Sequence, residues 1–103
     1  MWNIEELTGY HPVTTFWEDF SIADRFGAKA VEDTFHRAFA EWNTDYIYLT
    51  ELVLVLNWKL WQWYEDGNEE LTTLYDKLWQ KADAHAMETL KGDEASYFFR
   101  VTD

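Results

Sequence analysis

The segment from Tyr46 to Trp63, YIYLTELVLVLNWKLWQW, constrains the fold more than any other part of this 103-residue chain. Its apolar residues recur at the helical period. On a wheel of about 100° per residue, Leu49, Leu52, Val53, Leu56, Leu60 and Trp63 form one stripe, the expected core face. Ile47, Leu54, Trp58 and Trp61 fall on roughly the opposite side. A helix that is apolar on two sides must be covered on two sides. Either this helix is the centre of a bundle that buries both stripes, or the second stripe meets a partner or another copy of the chain. Tryptophan suits the latter role, because it offers a large rigid area with one indole donor and is enriched at interface hot spots.

The flanking segments supply the rest of a bundle. Thr15-x-x-Glu18, just after Pro12, reads as a capping box that opens a first helix whose inner stripe is Phe16, Phe20 and Ala23. Gly27 ends or bends that helix. From Ala28 to Trp42, the residues Val31, Phe35, Ala38, Phe39 and Trp42 lie on one arc of about 100°. Asn43, Thr44 and Asp45 form a break with capping chemistry, so the third helix begins near Tyr46 and runs to about Glu65. Asp66, Gly67 and Asn68 make the next turn. Glu69 and Glu70 then occupy the first turn of a fourth helix, where the helix dipole favours them. Leu71, Leu74, Tyr75, Leu78, Ala82 and Ala86 line its buried face. Gly92 is a C-terminal stop, and the tail DEASYFFRVTD is apolar enough at Tyr97, Phe98 and Phe99 to dock on the bundle. These features predict an all-α fold: a compact bundle of about four helices with a docked C-terminal tail, forming one helical domain over residues 1–103.

Charge narrows the function. Twenty Asp and Glu against eight Lys and Arg give a formal net charge of −12. Direct nucleic-acid binding requires clustered cations that are missing here, and anionic membrane surfaces are disfavoured for the same reason. The segment Tyr46–Tyr64 is interrupted by Thr50, Glu51, Asn57, Lys59 and Gln62, too polar for a lone membrane span. There is no cysteine, hence no disulfide, thiol nucleophile or thiolate ligand. The opening residues MWNIEELTGY carry early acids where an export signal has basic residues, so a cytoplasmic location is expected.

Catalytic chemistry has little to build on. Of three histidines, His11 sits beside Pro12 in the N-terminal connection, and His36 lies four residues after Glu32 as an ordinary i,i+4 partner. His85 falls within the apolar arc of the fourth helix and reads as a hydrogen-bonded core residue. A di-iron bundle would need paired E-x-x-H motifs, whereas only Asp33-x-x-His36 approaches that pattern. The magnesium-binding acid pairs of helical nucleotide pyrophosphohydrolases have only Asp66-x-x-Glu69 as a counterpart. No phosphate-binding loop, dinucleotide fingerprint, H-E-x-x-H or EF-hand loop occurs. No catalytic residue, cofactor or metal site is therefore expected. The alternative reading is a small enzyme using His85 or His36 with nearby carboxylates, or a structural homo-oligomer.

The acids themselves are unevenly spread. Glu65, Asp66, Glu69 and Glu70 cluster around the turn between the third and fourth helices. Asp76 and Asp83 share one face of the fourth helix, about 10.5 Å apart. Such a row is either a solvated helix face or a phosphate mimic that occupies a basic groove by charge complementarity. The strings TFWEDFSIADRFG, YLTELVLVLNWKLW and LKGDEASYFFRVTD resemble a group of short uncharacterised acidic proteins encoded in phages and integrative elements of gut Firmicutes. The resemblance implies a mobile-element setting and supplies no catalytic residue. By analogy with other small acidic proteins of such elements, it implies an inhibitor of a basic, nucleic-acid-handling host defence protein, of the anti-CRISPR or anti-restriction type. The expected function is thus a small acidic protein-interaction module. Its partner-binding residues are Ile47, Leu54, Trp58, Trp61, Glu65, Asp66, Glu69, Glu70, Asp76 and Asp83, and its partner is a basic protein or a second copy.

Overall fold

The structure, a computed structural model, describes residues 12–102, with side chains from Thr15 onward. The elements it describes are all helices: α1 (Pro12–Ala23), α2 (Ala28–Trp42), α3 (Tyr46–Glu65), α4 (Glu69–Thr89) and α5 (Asp93–Thr102). His11 and the whole N-terminal decapeptide MWNIEELTGY lie outside the described residues.

Two helix starts follow from local capping. The Asp45 carboxylate accepts from the amides of Ile47 at 3.1 Å and Tyr48 at 3.3 Å, and the Asn68 side chain accepts from the amide of Leu71 at 3.1 Å. Each cap satisfies amides that the helix itself leaves open, a gain of about 1 kcal/mol. The start of α1 differs from expectation, whereas α2 starts at Ala28 as expected but is capped from an unexpected place. The first helix already includes Pro12, three residues before Thr15, and accommodates it because proline has no amide to satisfy and a φ suited to a first helical turn. Thr15 is consequently inside α1, and the capping box with Glu18 does not form. Gly27 precedes α2 with a φ of 109°, a conformation that strains any residue with a Cβ, and no side chain of its own turn caps the helix. A carboxylate from elsewhere takes that role: Glu70, at the start of α4, accepts from the Ala28 amide at 3.4 Å.

The expected tail is a fifth helix. Asp93 and Glu94 in its first turn and Arg100 in its last match the helix dipole, and Phe98 and Thr102 are buried. The docking was expected; the helical conformation was not, because Tyr97, Phe98 and Phe99 are consecutive and do not show a helical spacing.

α3 packs against all four other helices. Its stripe of Leu49, Leu52, Val53, Leu56 and Trp63 is buried as expected, meeting Phe16 and Phe20 of α1, Val31 and Phe35 of α2, Leu71, Leu78, Ala82 and Ala86 of α4, and Phe98 of α5. Each large side chain so buried contributes about 1.5–3 kcal/mol. The buried arc is wider than that stripe. Leu60 is only half-buried, while Thr50, Val55 and Lys59 are buried. The Thr50 hydroxyl is satisfied locally, donating to the Tyr46 carbonyl at 2.6 Å. Longer polar ties fasten the helices to one another. The Tyr75 hydroxyl donates to the Asn57 side-chain oxygen, and the Asn57 amide group donates to the Thr102 carbonyl at 3.1 Å, which joins α4, α3 and α5.

Candidate protein-binding surface

The least expected residue of α3 determines the character of its surface. Lys59 is only 2% exposed, and its Nζ donates to Asp24 Oδ2 at 3.0 Å and to Gln62 Oε1 at 2.9 Å. It also lies 4.4 Å from the centroid of the Trp17 ring, a cation–π contact. The Trp63 indole donates to the same Asp24 oxygen at 3.1 Å. Asp24 sits in the turn after α1, so one carboxylate fixes that turn against two successive inward positions of α3. An ammonium taken out of water is tolerated only when paired and hydrogen-bonded, and each of those conditions is met here.

Burying Lys59 leaves the outside of α3 without a cation. From Ala38 to Asp76 the chain has no other lysine or arginine, but it has Glu41, Asp45, Glu51, Glu65, Asp66, Glu69, Glu70 and Asp76. Within that acidic stretch lies the second stripe. Trp58 is 45% exposed and Trp61 69%; Ile47 is exposed and Leu54 half-buried. Tyr64, which the stripe did not include, is more exposed still and adjoins Trp61 at the end of the helix. The alternative posed by the sequence has a double answer among the described residues: α3 is central, and its second stripe is nevertheless not buried by the bundle. Exposed large aromatics in a row are unusual on a monomer surface and mark contact sites.

The acids divide into three kinds. Glu65, Asp66 and Glu69 are exposed around the α3–α4 turn, four, five and eight residues along the chain from Trp61. Glu70 is exposed but caps α2 through the Ala28 amide, so it has a structural task as well. Asp76 is exposed, whereas Asp83 is half-buried, which shortens the expected row on α4 to one fully exposed member. Lys77 and Lys81 lie on the same helix, and Lys77 pairs with Glu32 of α2 at 2.8 Å. That pairing holds the Glu32 carboxyl below the ordinary glutamate range. The coherent acidic surface is therefore the α3–α4 turn, not the length of α4.

The histidines have structural surroundings. His85 Nε2 is 2.9 Å from the Asn43 carbonyl, and the ring stands edge-on to Phe39 with centroids 5.1 Å apart, which pins α4 to the end of α2. His36 is 4.0 Å from Glu32 in the expected i,i+4 arrangement. Among the described residues no group of three or more His, Asp and Glu side chains is placed to hold a metal ion, and no helix is long and apolar enough to cross a membrane. Sequence reasoning missed Lys59, Asp24 and Tyr64. For Lys59 the only signal was its place between Leu56 and Leu60, close to the core stripe of α3. Compared with known protein families, with curated proteins and with solved structures, the chain matches none.

Proposed function

We propose that this chain is a protein-interaction module that docks a basic partner protein on the outer face of α3 and the α3–α4 turn. In its most concrete form, which rests on the resemblance above, it is a mobile-element inhibitor that occupies the nucleic-acid groove of a host defence protein. One observation carries the reading: Trp58, Trp61 and Tyr64 stand exposed beside Glu65, Asp66 and Glu69, with the one cation of the surrounding stretch turned inward. The aromatics supply short-range contact area, and the acids supply long-range attraction and faster encounter with a cationic surface.

The test is capture from host lysate followed by binding kinetics on the captured partner. Four forms are compared: the native chain, Trp58→Ala/Trp61→Ala, Glu65→Lys/Asp66→Lys and the charge-matched control Glu88→Lys/Glu94→Lys. The tryptophan pair is expected to raise the off-rate, and the Glu65/Asp66 reversal to lower the on-rate and its salt dependence. The control should bind nearly as the native chain does. Equal loss in both charge variants would reduce the effect to net charge, and undiminished binding in all three would remove this surface from the proposal.

A further inference from the structure

A second apolar feature lies elsewhere, between α1 and α2. A groove of about 800 Å³ opens there, lined by Ile22, Ala23, Phe26 and Ala30 with Asp19, Asp33 and Arg37 along its walls. Phe26 is 78% exposed and Ile22 55%. Phe26 is not a loose loop residue: its amide donates to the Ala23 carbonyl at 2.9 Å, and the Arg25 amide donates to Ile22 at 3.3 Å. The ring is presented from a hydrogen-bonded turn, so little ordering is left to be done on contact.

Charge distinguishes this face from the one on α3. Asp33 is paired with Lys29 at 2.7 Å, and the remaining wall charges, Asp19 and Arg37, are of opposite sign. In a chain of net charge −12 this is a locally balanced patch. Two-fold association sets a patch against itself, so it needs a surface that is self-complementary. A patch with both signs meets that condition. The α3 face, with acids and no exposed cation of its own, does not, because pairing two copies would oppose carboxylate to carboxylate.

We propose that the α1–α2 face is a symmetric homodimer interface in which Phe26 of each copy enters the groove of the other. The α3 faces stay outside the contact, so each dimer presents two of them. This inference stands on a different surface from the proposed function, and either can fail without the other.

The experiment is sedimentation equilibrium of the full chain at low and high salt, up to ~1 mM protein, the range in which even weak association registers. The expected result is a species of twice the 12.4 kDa chain mass, tighter at high salt, because screening relieves the repulsion between acidic copies and leaves the apolar contact intact. Phe26→Ala is expected to weaken the dimer by about 100-fold or more, since the two-fold symmetry removes the ring at both sides of the contact. Phe26→Asp should abolish it, and Trp61→Asp should leave it unchanged. Phe26→Ala reads the same contact without adding a charge, so misfolding of the aspartate variant would not leave the question open. A monomer at every concentration and salt, a dimer indifferent to Phe26→Ala, or one abolished by Trp61→Asp would each overturn the proposal.

Discussion

Removing the Asp24 carboxylate should be among the most damaging single changes available in this fold, although the residue sits in a turn. The substitution Asp24→Ala leaves Lys59 Nζ buried with Gln62 Oε1 and the Trp17 ring as its remaining partners, and leaves the Trp63 indole without its acceptor. Stripping one member from a buried ion pair costs about 3–5 kcal/mol. The Asp24 side chain is 17% exposed, so water reaches this end of the pair and the lower part of that range applies. We therefore expect a loss of about 3 kcal/mol, a large share of the ~5–15 kcal/mol that holds a domain of this size. In urea, with a slope of about 1.5 kcal/mol per molar, the midpoint should fall by about 2 M, read by circular dichroism so that altered tryptophan environments do not distort the signal. The partner substitution provides the decisive comparison. Lys59→Met keeps the apolar stem and removes the charge, so it should cost about 1 kcal/mol, and the double variant should recover most of what Asp24→Ala loses. The reasoning fails if Asp24→Ala lies within about 0.5 kcal/mol of the native chain, or if the double variant is no more stable than Asp24→Ala alone.

Two further expectations follow from burial. Trp63→Ala should cost about 3–5 kcal/mol, while Trp61→Ala, two residues earlier and exposed, should stay within about 1 kcal/mol, a contrast measurable in the same urea series. The Tyr75 hydroxyl is pushed above the ordinary tyrosine range, first by burial and then by the neighbouring Asp76 charge. The unfolded chain therefore ionises Tyr75 first, so this contribution to stability is complete below about pH 10 and is lost as pH rises through the folded value. Ultraviolet titration of the tyrosines should show a late phase that Tyr75→Phe removes; a native titration with no phase above the ordinary range would refute it.

What the sequence revealed and what it hid divide by range. The starts of α3 and α4 were legible because Asp45 and Asn68 cap amides two and three residues away, and the inner stripes because helical spacing is itself local. The core face of α3 was legible as a direction but not as a width: Val55 and Lys59 lie outside the stripe and are buried, Lys59 against Trp17 of α1 and Asp24 of the turn after it. Lys59 looked like a solvated interruption of an apolar run, since its counterion is 35 residues upstream and no spacing rule connects Lys59 to Asp24. The start of α2 at Ala28 was legible from Gly27, but its cap was opaque for the same reason, being Glu70. The capping box at Thr15 misled because the pattern is compatible with a helix start without requiring one. Of the candidate surface, the second stripe was legible as an excess of apolar area, but only the packed structure separates Leu54, half-covered, from Trp61, which is not.

The position of α3 also governs how the molecule comes apart. Among the described residues α1 packs on α2 and α3 and not on α4 or α5, and α5 packs only on α3 and α4, so α1 and α5 do not pack on each other. Each can lift away without disturbing the other, whereas α3 cannot leave without releasing all four. Local openings at opposite ends of the chain should thus be independent events of modest cost, and amide protons deep in α3 should exchange only when the whole domain unfolds. The helix that presents the aromatic face is accordingly the most slowly fluctuating part of the protein, a rigid mount for side chains that are themselves largely exposed.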